Sequence, residues 1–210
     1  MDHALRFSDL TSPDGAWFAT RAVQLAAALP DPQRLEVDCC RFLEAAGDLG
    51  PRLARWRANP ALLDALLRLR SFSRYGFNLA IADPARFEQV VAGSETRQVL
   101  GREALRDDLR RRLAADPAGG LAAFQQHHHL RLILGDLLDH LGFPAVVAEL
   151  SDIADVLIQA ACEQAQAELA PRFGRAATGF CVLAFGKLGA RELNYSSDID
   201  LVFLFGGPGA

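Results

Sequence analysis

The chain has 210 residues, half of them hydrophobic and 23% charged, with a net charge of −4. This is the profile of an ordinary globular protein, and its acidic balance argues against nucleic-acid binding as the main activity. No apolar stretch reaches the roughly 18 residues of a membrane span, and Met1-Asp2-His3 lacks the basic start and apolar core of a secretory leader; the expected setting is the cytoplasm, with no membrane partner.

Ser12-Pro13 reads as a helix start, with serine as cap and proline in the first turn. The helix runs through Trp17, Phe18, Ala22, Leu25 and Ala26 to a break at Pro30-Asp31-Pro32. A second helix, Arg34 to Ala46, takes Leu35, Val37, Cys39, Phe42 and Leu43 as its apolar face and stops at Gly47. Trp56 lies in a short helical piece before Asn59-Pro60, and Leu62 to Leu69 form another helix. Ser71 to Asp83 reads as a turn and a short helix whose aromatic residues enter the core. Pro84 opens a further piece through Val91.

From Ser94 to Ala115 a helix is expected, with Val99, Leu100, Leu105, Leu109 and Leu113 inward. Arg110 to Arg112 beside Asp107 and Asp108 read as a solvated face. Asp116-Pro117 to Gly119-Gly120 marks a boundary. Beyond it, Leu130, Ile133, Leu134, Leu137, Leu138 and Leu141 repeat at helical spacing. His127, His128 and His129 open that stretch, and three consecutive histidines point in three directions on a helix, so they cannot share one ion. Phe143-Pro144 interrupts, and Glu149 leads into a helix ending near Pro171. Of the four cysteines, Cys39-Cys40 read as helix packing and Cys162 and Cys181 as buried small apolar residues; none has metal-type spacing.

The most informative stretch comes last. Phe180 to Phe185 is an apolar run of strand length ended by Gly186. Ile199 and Leu201 to Phe205 form a second, ended by Gly206-Gly207-Pro208. Continuous apolar runs suit strands buried on both faces. Between them stand a glycine turn, a polar loop, and Asp198 and Asp200 at the mouth of the second run. Residues two apart on a strand point to the same side, with Cα atoms roughly 6–7 Å apart. Two carboxylates so placed suit Mg²⁺, a hard cation that takes oxygen ligands and substrate phosphates. Lys187, the only lysine in the chain, lies in the glycine turn.

Gly186-Lys187-Leu188-Gly189 followed by Glu192-Leu193-Asn194-Tyr195-Ser196-Ser197-Asp198-Ile199-Asp200-Leu201 resembles the nucleotidyltransferase motif of the glutamine synthetase adenylyltransferase/adenylyl-removing enzymes, within the polymerase-β-like superfamily. Leu130 to Leu138 and Glu149 to Asp155 also resemble the helices that precede that family's catalytic domain. Ala190 departs from the third glycine of many members. The wording Leu-Asn-Tyr-Ser-Ser-Asp-Ile-Asp is similar to the N-terminal, deadenylylating half.

The resemblance implies an α+β fold: a mainly helical N-terminal region (1–116), a helical support (117–175) and the first strands of a mixed sheet opening the catalytic module (176–210). It implies that Asp198 and Asp200 are catalytic and hold Mg²⁺, and that Gly186, Lys187, Gly189, Ser196 and Ser197 contact nucleotide or phosphate. The implied substrate is adenylylated glutamine synthetase, cleaved by phosphate to release ADP. A PII-type regulatory protein and ATP/ADP are the implied partners. Arg191 and Glu192 are expected either to pair with each other or, for Arg191, to meet phosphate. The superfamily's third carboxylate lies on a later strand, so the sequence is expected to be the N-terminal part of a longer enzyme, inactive alone. The alternatives are another nucleotidyltransferase of the superfamily and a non-catalytic folding or binding piece.

Overall fold

In a computed structural model, residues 4–174 and 179–206 are described. The helices α1 (Pro13–Ala26), α2 (Leu35–Ala46), α3 (Leu49–Ala58), α4 (Ala61–Phe72), α5 (Arg74–Ala82) and α6 (Pro84–Ala92) follow one another closely. Then come α7 (Arg102–Ala115), α8 (Gly120–Leu137), α9 (Phe143–Phe173), β1 (Phe180–Phe185), α10 (Gly186–Gly189) and β2 (Asp200–Phe205). The expected α+β class holds: the protein is mainly helical with a two-stranded antiparallel ribbon near its end. Contacts divide it into two units. The first runs to Gln98 and adds His129–Leu141; the second takes Val99–His128 and everything from Gly142.

The first unit is organised around aromatic rings. Trp56 of α3 lies with its ring centroid 5.8 Å from Phe18 of α1 and 5.4 Å from Phe42 of α2, and Phe42 lies 5.5 Å from Phe87 of α6. All four side chains are buried. Each comes from a helix whose small or apolar residues recur at three and four, so the faces meet on one stripe. The indole N–H of Trp56 donates to Glu88 Oε1 at 2.8 Å, satisfying the polar end of the ring. Ser12 caps α1 by accepting from the Gly15 N–H at 3.0 Å, with Pro13 in the first turn as expected. Gly47 closes α2 at φ +57°.

Several expectations need correction. Val37 is exposed, because it is two residues from Leu35 and so faces the opposite side of the helix, whereas Cys39 and Cys40 pack in the core as expected. Phe77 is buried, but Phe72 and Tyr75 are not; the Tyr75 hydroxyl instead meets His129 Nδ1 at 3.0 Å. The helix expected over Ser94–Ala115 starts only at Arg102. Before it lies a single 3₁₀ turn, Glu95–Arg97, and then extended chain in which Val99 is exposed. Buried Arg131 holds that 3₁₀ turn by donating to the carbonyls of Gln98 (2.8 Å) and Glu95 (3.3 Å).

In the second unit, α7 packs on α9. Its basic face is solvated as expected, with Arg110 on Asp107 and Arg111 and Arg112 on Asp108. The three histidines sit mid-helix rather than at a helix start. The buried His128 ring reaches Asp108 Oδ2 at 3.1 Å. Burial alone would raise the Asp108 carboxyl, but hydrogen bonds from His128 and Arg112 outweigh it and hold the group well below the usual range. α9 begins at Phe143, earlier than expected, since Pro144 falls in the first turn, where a missing N–H costs nothing.

The ribbon departs furthest. β1 and β2 pair antiparallel from Phe180↔Phe205 to Phe185↔Asp200. The strands are where the apolar runs place them, but they are not buried on both faces. Phe185, Phe203 and Phe205 are more than half exposed, and Cys181 is exposed too. Continuous apolarity marks strands that suit burial; among the described residues no layer covers these. The expected boundary at Ala176 and the Gly207-Pro208 end of the second run lie outside the described residues.

Candidate functional site

The site is a turn closed upon itself and fastened to α9. β1 ends at Phe185, and Gly186 adopts φ +57°, which reverses the chain into α10. Glycine is required twice here. A Cβ on Gly186 would lie 2.8 Å from Asp200 Oδ2, and one on Gly189 would lie 2.5 Å from the Ala184 carbonyl oxygen. The first glycine therefore admits the Asp200 carboxylate beside the turn, and the second lets α10 lie against the end of β1.

α10 ends in a Schellman motif. The Glu192 N–H donates to the Lys187 carbonyl (2.8 Å) and the Arg191 N–H to that of Leu188 (3.0 Å). Arg191 occupies the left-handed position at φ +60°, where glycine is usual and a side chain costs roughly 1–2 kcal/mol. Arg191 pairs neither with Glu192 nor along the turn. Its guanidinium reaches Asp152 Oδ1 at 3.0 Å and Asp155 Oδ2 at 4.0 Å on α9.

Asp152 and Asp155 also take the guanidinium of Arg102 from the start of α7. The hydrogen bond from Arg102 to Asp152, more than the desolvation that opposes it, raises the arginine further above its ordinary value. One residue along α9, Ser151 Oγ accepts from the Leu193 N–H at 3.2 Å and donates to the Val147 carbonyl at 2.9 Å. Leu188 and Leu193 are buried. Residues 188–193 are thus fixed by two apolar side chains, one backbone bond and an ion-pair cluster. Ser151, Asp152 and Asp155 belong to the Glu149–Asp155 stretch that resembles the family, but their contacts with the turn are not legible in the sequence, since they lie some forty residues away with no local pattern linking them to it.

The loop that follows is held by Asn194. Its Oδ1 accepts from the Ser197 hydroxyl (2.7 Å) and the Ser196 N–H (3.2 Å), while its own N–H donates to Ser197 Oγ at 3.3 Å. Ser197 thereby spends its hydroxyl proton within the loop, and Ser196 is exposed. Asp198 and Asp200 are both exposed, as is Lys187. β2 begins at Asp200, paired with Phe185, so Asp198 precedes the ladder and strand alternation does not set its direction. The structure brings together Asp200, Gly186 and the closed turn. Among the described residues no group of three or more His, Cys, Asp or Glu side chains converges.

A helical assembly thus leads into a strand, a glycine turn and a second strand headed by carboxylates. A family model described as glutamate-ammonia ligase adenylyltransferase matches residues 63–210, and the chain belongs to that family. It is 34% identical over 197 residues to bifunctional glutamine synthetase adenylyltransferase/adenylyl-removing enzymes of Burkholderia mallei (strain ATCC 23344) and Burkholderia pseudomallei (strain K96243), covering 90% of this chain. The corresponding enzyme of Aromatoleum aromaticum (strain DSM 19018 / LMG 30748 / EbN1) is 29% identical over 194 residues, again across 90% of this chain. The chain spans 21% of the length of each of these relatives.

Proposed function

We propose that this chain takes part in removing AMP from adenylylated glutamine synthetase by phosphorolysis, within an enzyme that adjusts nitrogen assimilation in the cytoplasm. A phosphate oxygen attacks the phosphorus of the AMP–tyrosine ester, the bond from phosphorus to the tyrosine oxygen breaks, and ADP leaves. Tyrosine takes up a proton. In this reading 1–116 form the helical N-terminal region, 117–175 the support, and 176–210 open the catalytic module. A PII-type protein would be the regulatory partner.

The observation that carries the reading is the Asp200 carboxylate lodged against Gly186 at the end of the β1–β2 ladder. That cradle, which any side chain would fill, sets a carboxylate beside a glycine turn, the kind of backbone that approaches phosphate closely. The donor set fits a hard divalent cation: Asp198 and Asp200 supply oxygen, both are exposed, and two carboxylates leave remaining positions for water and phosphate, as Mg²⁺ prefers. Bound there, Mg²⁺ supplies neutralisation of charge on the transferring phosphate. Lys187 and the turn's backbone bring further positive potential, and Ser196 offers a hydroxyl. For Ser197 to donate to phosphate it must exchange its bond to Asn194. The deadenylylating assignment is supported by the wording of residues 193–200, and the substrate by the names of the related enzymes.

The test is phosphate-dependent release of ADP from adenylylated glutamine synthetase by the gene's complete product. Asp198→Asn and Asp200→Asn should each lower the rate by about a hundredfold or more, the scale on which loss of an electrostatic stabiliser acts. Near-normal rates in both variants would remove the assignment.

A further inference from the structure

We infer that Arg191 is a positioning residue: its guanidinium, held by Asp152 and Asp155 of α9, sets the glycine turn against Asp200 and so fixes the geometry of the carboxylate pair. The inference rests on the reading that Asp198 and Asp200 hold a divalent cation. Three independent observations carry it.

The first is the backbone. Arg191 sits at φ +60° in a motif whose two closing hydrogen bonds, Glu192 N–H to Lys187 and Arg191 N–H to Leu188, would form equally well with glycine. Whatever arginine adds there must come from its side chain. The second is the partner. Asp152, whose side chain is only 14% exposed, receives both Arg191 and Arg102 at Oδ1. Asp155 touches the same two guanidinium groups. A carboxylate pinned by Arg102 to the start of α7 is a fixed post, not a mobile surface group.

The third is the route to the metal ligands. Arg191 directly follows α10 and Ala190, and the opening glycine of α10 is in van der Waals reach of Asp200 Oδ2. Two residues after Arg191, Leu193 is tied to the same turn of α9 through Ser151. The ion pair and the Ser151 bond thus act at adjacent points on one short segment. Releasing the guanidinium would leave the turn held only by the buried Leu188 and Leu193 side chains and the Ser151 bond, with the approach of Gly186 to Asp200 less tightly set.

The substitution that isolates this role is Arg191→Gly. It removes the guanidinium and relieves the backbone, so the protein is expected to fold at least as well as wild type. Mn²⁺ is titrated into the purified protein and free ion is followed by electron paramagnetic resonance. Wild type should bind saturably and Asp200→Asn should not. Arg191→Gly should weaken Mn²⁺ affinity by about 10- to 100-fold, the usual effect of removing a group that orients a metal ligand from behind. Asp152→Asn, which also loosens Arg102, should weaken it at least as much, and the double variant no more than Asp152→Asn alone, because the main Arg191 link is already cut there. Arg191→Lys keeps the charge without the two-pronged reach and should restore only part. If Asp200→Asn abolishes binding while Arg191→Gly stays within roughly twofold of wild type, the inference falls and the metal assignment stands. It falls likewise if Asp152→Asn and Arg191→Gly losses simply multiply. Absence of saturable Mn²⁺ in wild type removes the metal assignment and the inference together.

Discussion

Gly189 offers the sharpest structural test. In Gly189→Ala the new methyl would lie 2.5 Å from the Ala184 carbonyl oxygen and 3.1 Å from its carbon. Ordinary contact is about 3.5 Å, so the strand end or the turn must retreat by about 1 Å. Both neighbours are backbone, so no side chain can swing aside. Such overpacking costs about 1–3 kcal/mol, which for a chain of this size lowers the melting temperature by roughly 2–4 °C for each kcal/mol. Ala184 pairs with Leu201, one register step from the Phe185↔Asp200 pair, so the displacement falls on the carboxylate. A misplacement of that size is worth on the order of a hundredfold in rate. Gly50→Ala is the control: nothing lies within 4 Å of its Cβ, it stands in α3, and reduced freedom of the unfolded chain should stabilise it by about 0.4–1 kcal/mol. Thermal melting should fall for Gly189→Ala and rise for Gly50→Ala, and Mn²⁺ titration should change only for Gly189→Ala. A Gly189→Ala protein that melts with wild type and binds Mn²⁺ unchanged would refute the close approach of α10 to β1.

Two further outcomes follow from local chemistry. Asp108, depressed mainly by His128 and Arg112 against its own burial, contributes stability that is fully present above the unfolded carboxyl value of about 3.9 and is lost as pH falls through the lower folded value. Asp108→Asn should therefore be less stable than wild type by about 1–3 kcal/mol at neutral pH, with the gap narrowing only below about pH 4 in denaturant titrations; a gap that closes already near neutrality would contradict this. Thiol labelling followed by peptide mass mapping should modify exposed Cys181 first. Burial pushes the Cys40 thiol up to about 11, and burial together with Cys40 pushes Cys39 higher still, so native protein should protect both; equal rates at the three cysteines would be inconsistent with the core of α2.

What could be read directly was whatever local chemistry decides. Ser12 and Pro13 define a helix start by supplying an acceptor where N–H groups are orphaned, and β1 falls exactly where six apolar residues precede a glycine. What escaped was set by distant partners. Gln98 to Gly101 carry apolar residues at helical spacing, yet Arg131 takes the Gln98 carbonyl and Glu149 accepts from the Leu100 N–H at 3.1 Å, so those backbone groups are satisfied outside a helix. Val37 is apolar, but its angle around α2 turns it away from Leu35 and the core. At the site, the motif residues were evident, but Arg191 in a left-handed position gives no sign of the Schellman turn, since glycine is its usual marker. The role of Asp152 depends on α9 passing behind the loop, which no spacing reveals.

The turn of α9 from Glu149 to Asp152 carries an unusual density of obligations. Glu149 accepts from Leu100, Ser151 from Leu193, and Asp152 from both Arg102 and Arg191. Inserting a single residue inside this turn would rotate one set of acceptors by about 100° relative to the other, so they could not all be met together. An extra residue beyond Ala160 would leave every one of them in phase. Tolerance to changes in length along this 31-residue helix is therefore expected to be sharply uneven, and a graft or fusion that must preserve the loop should be joined near its far end.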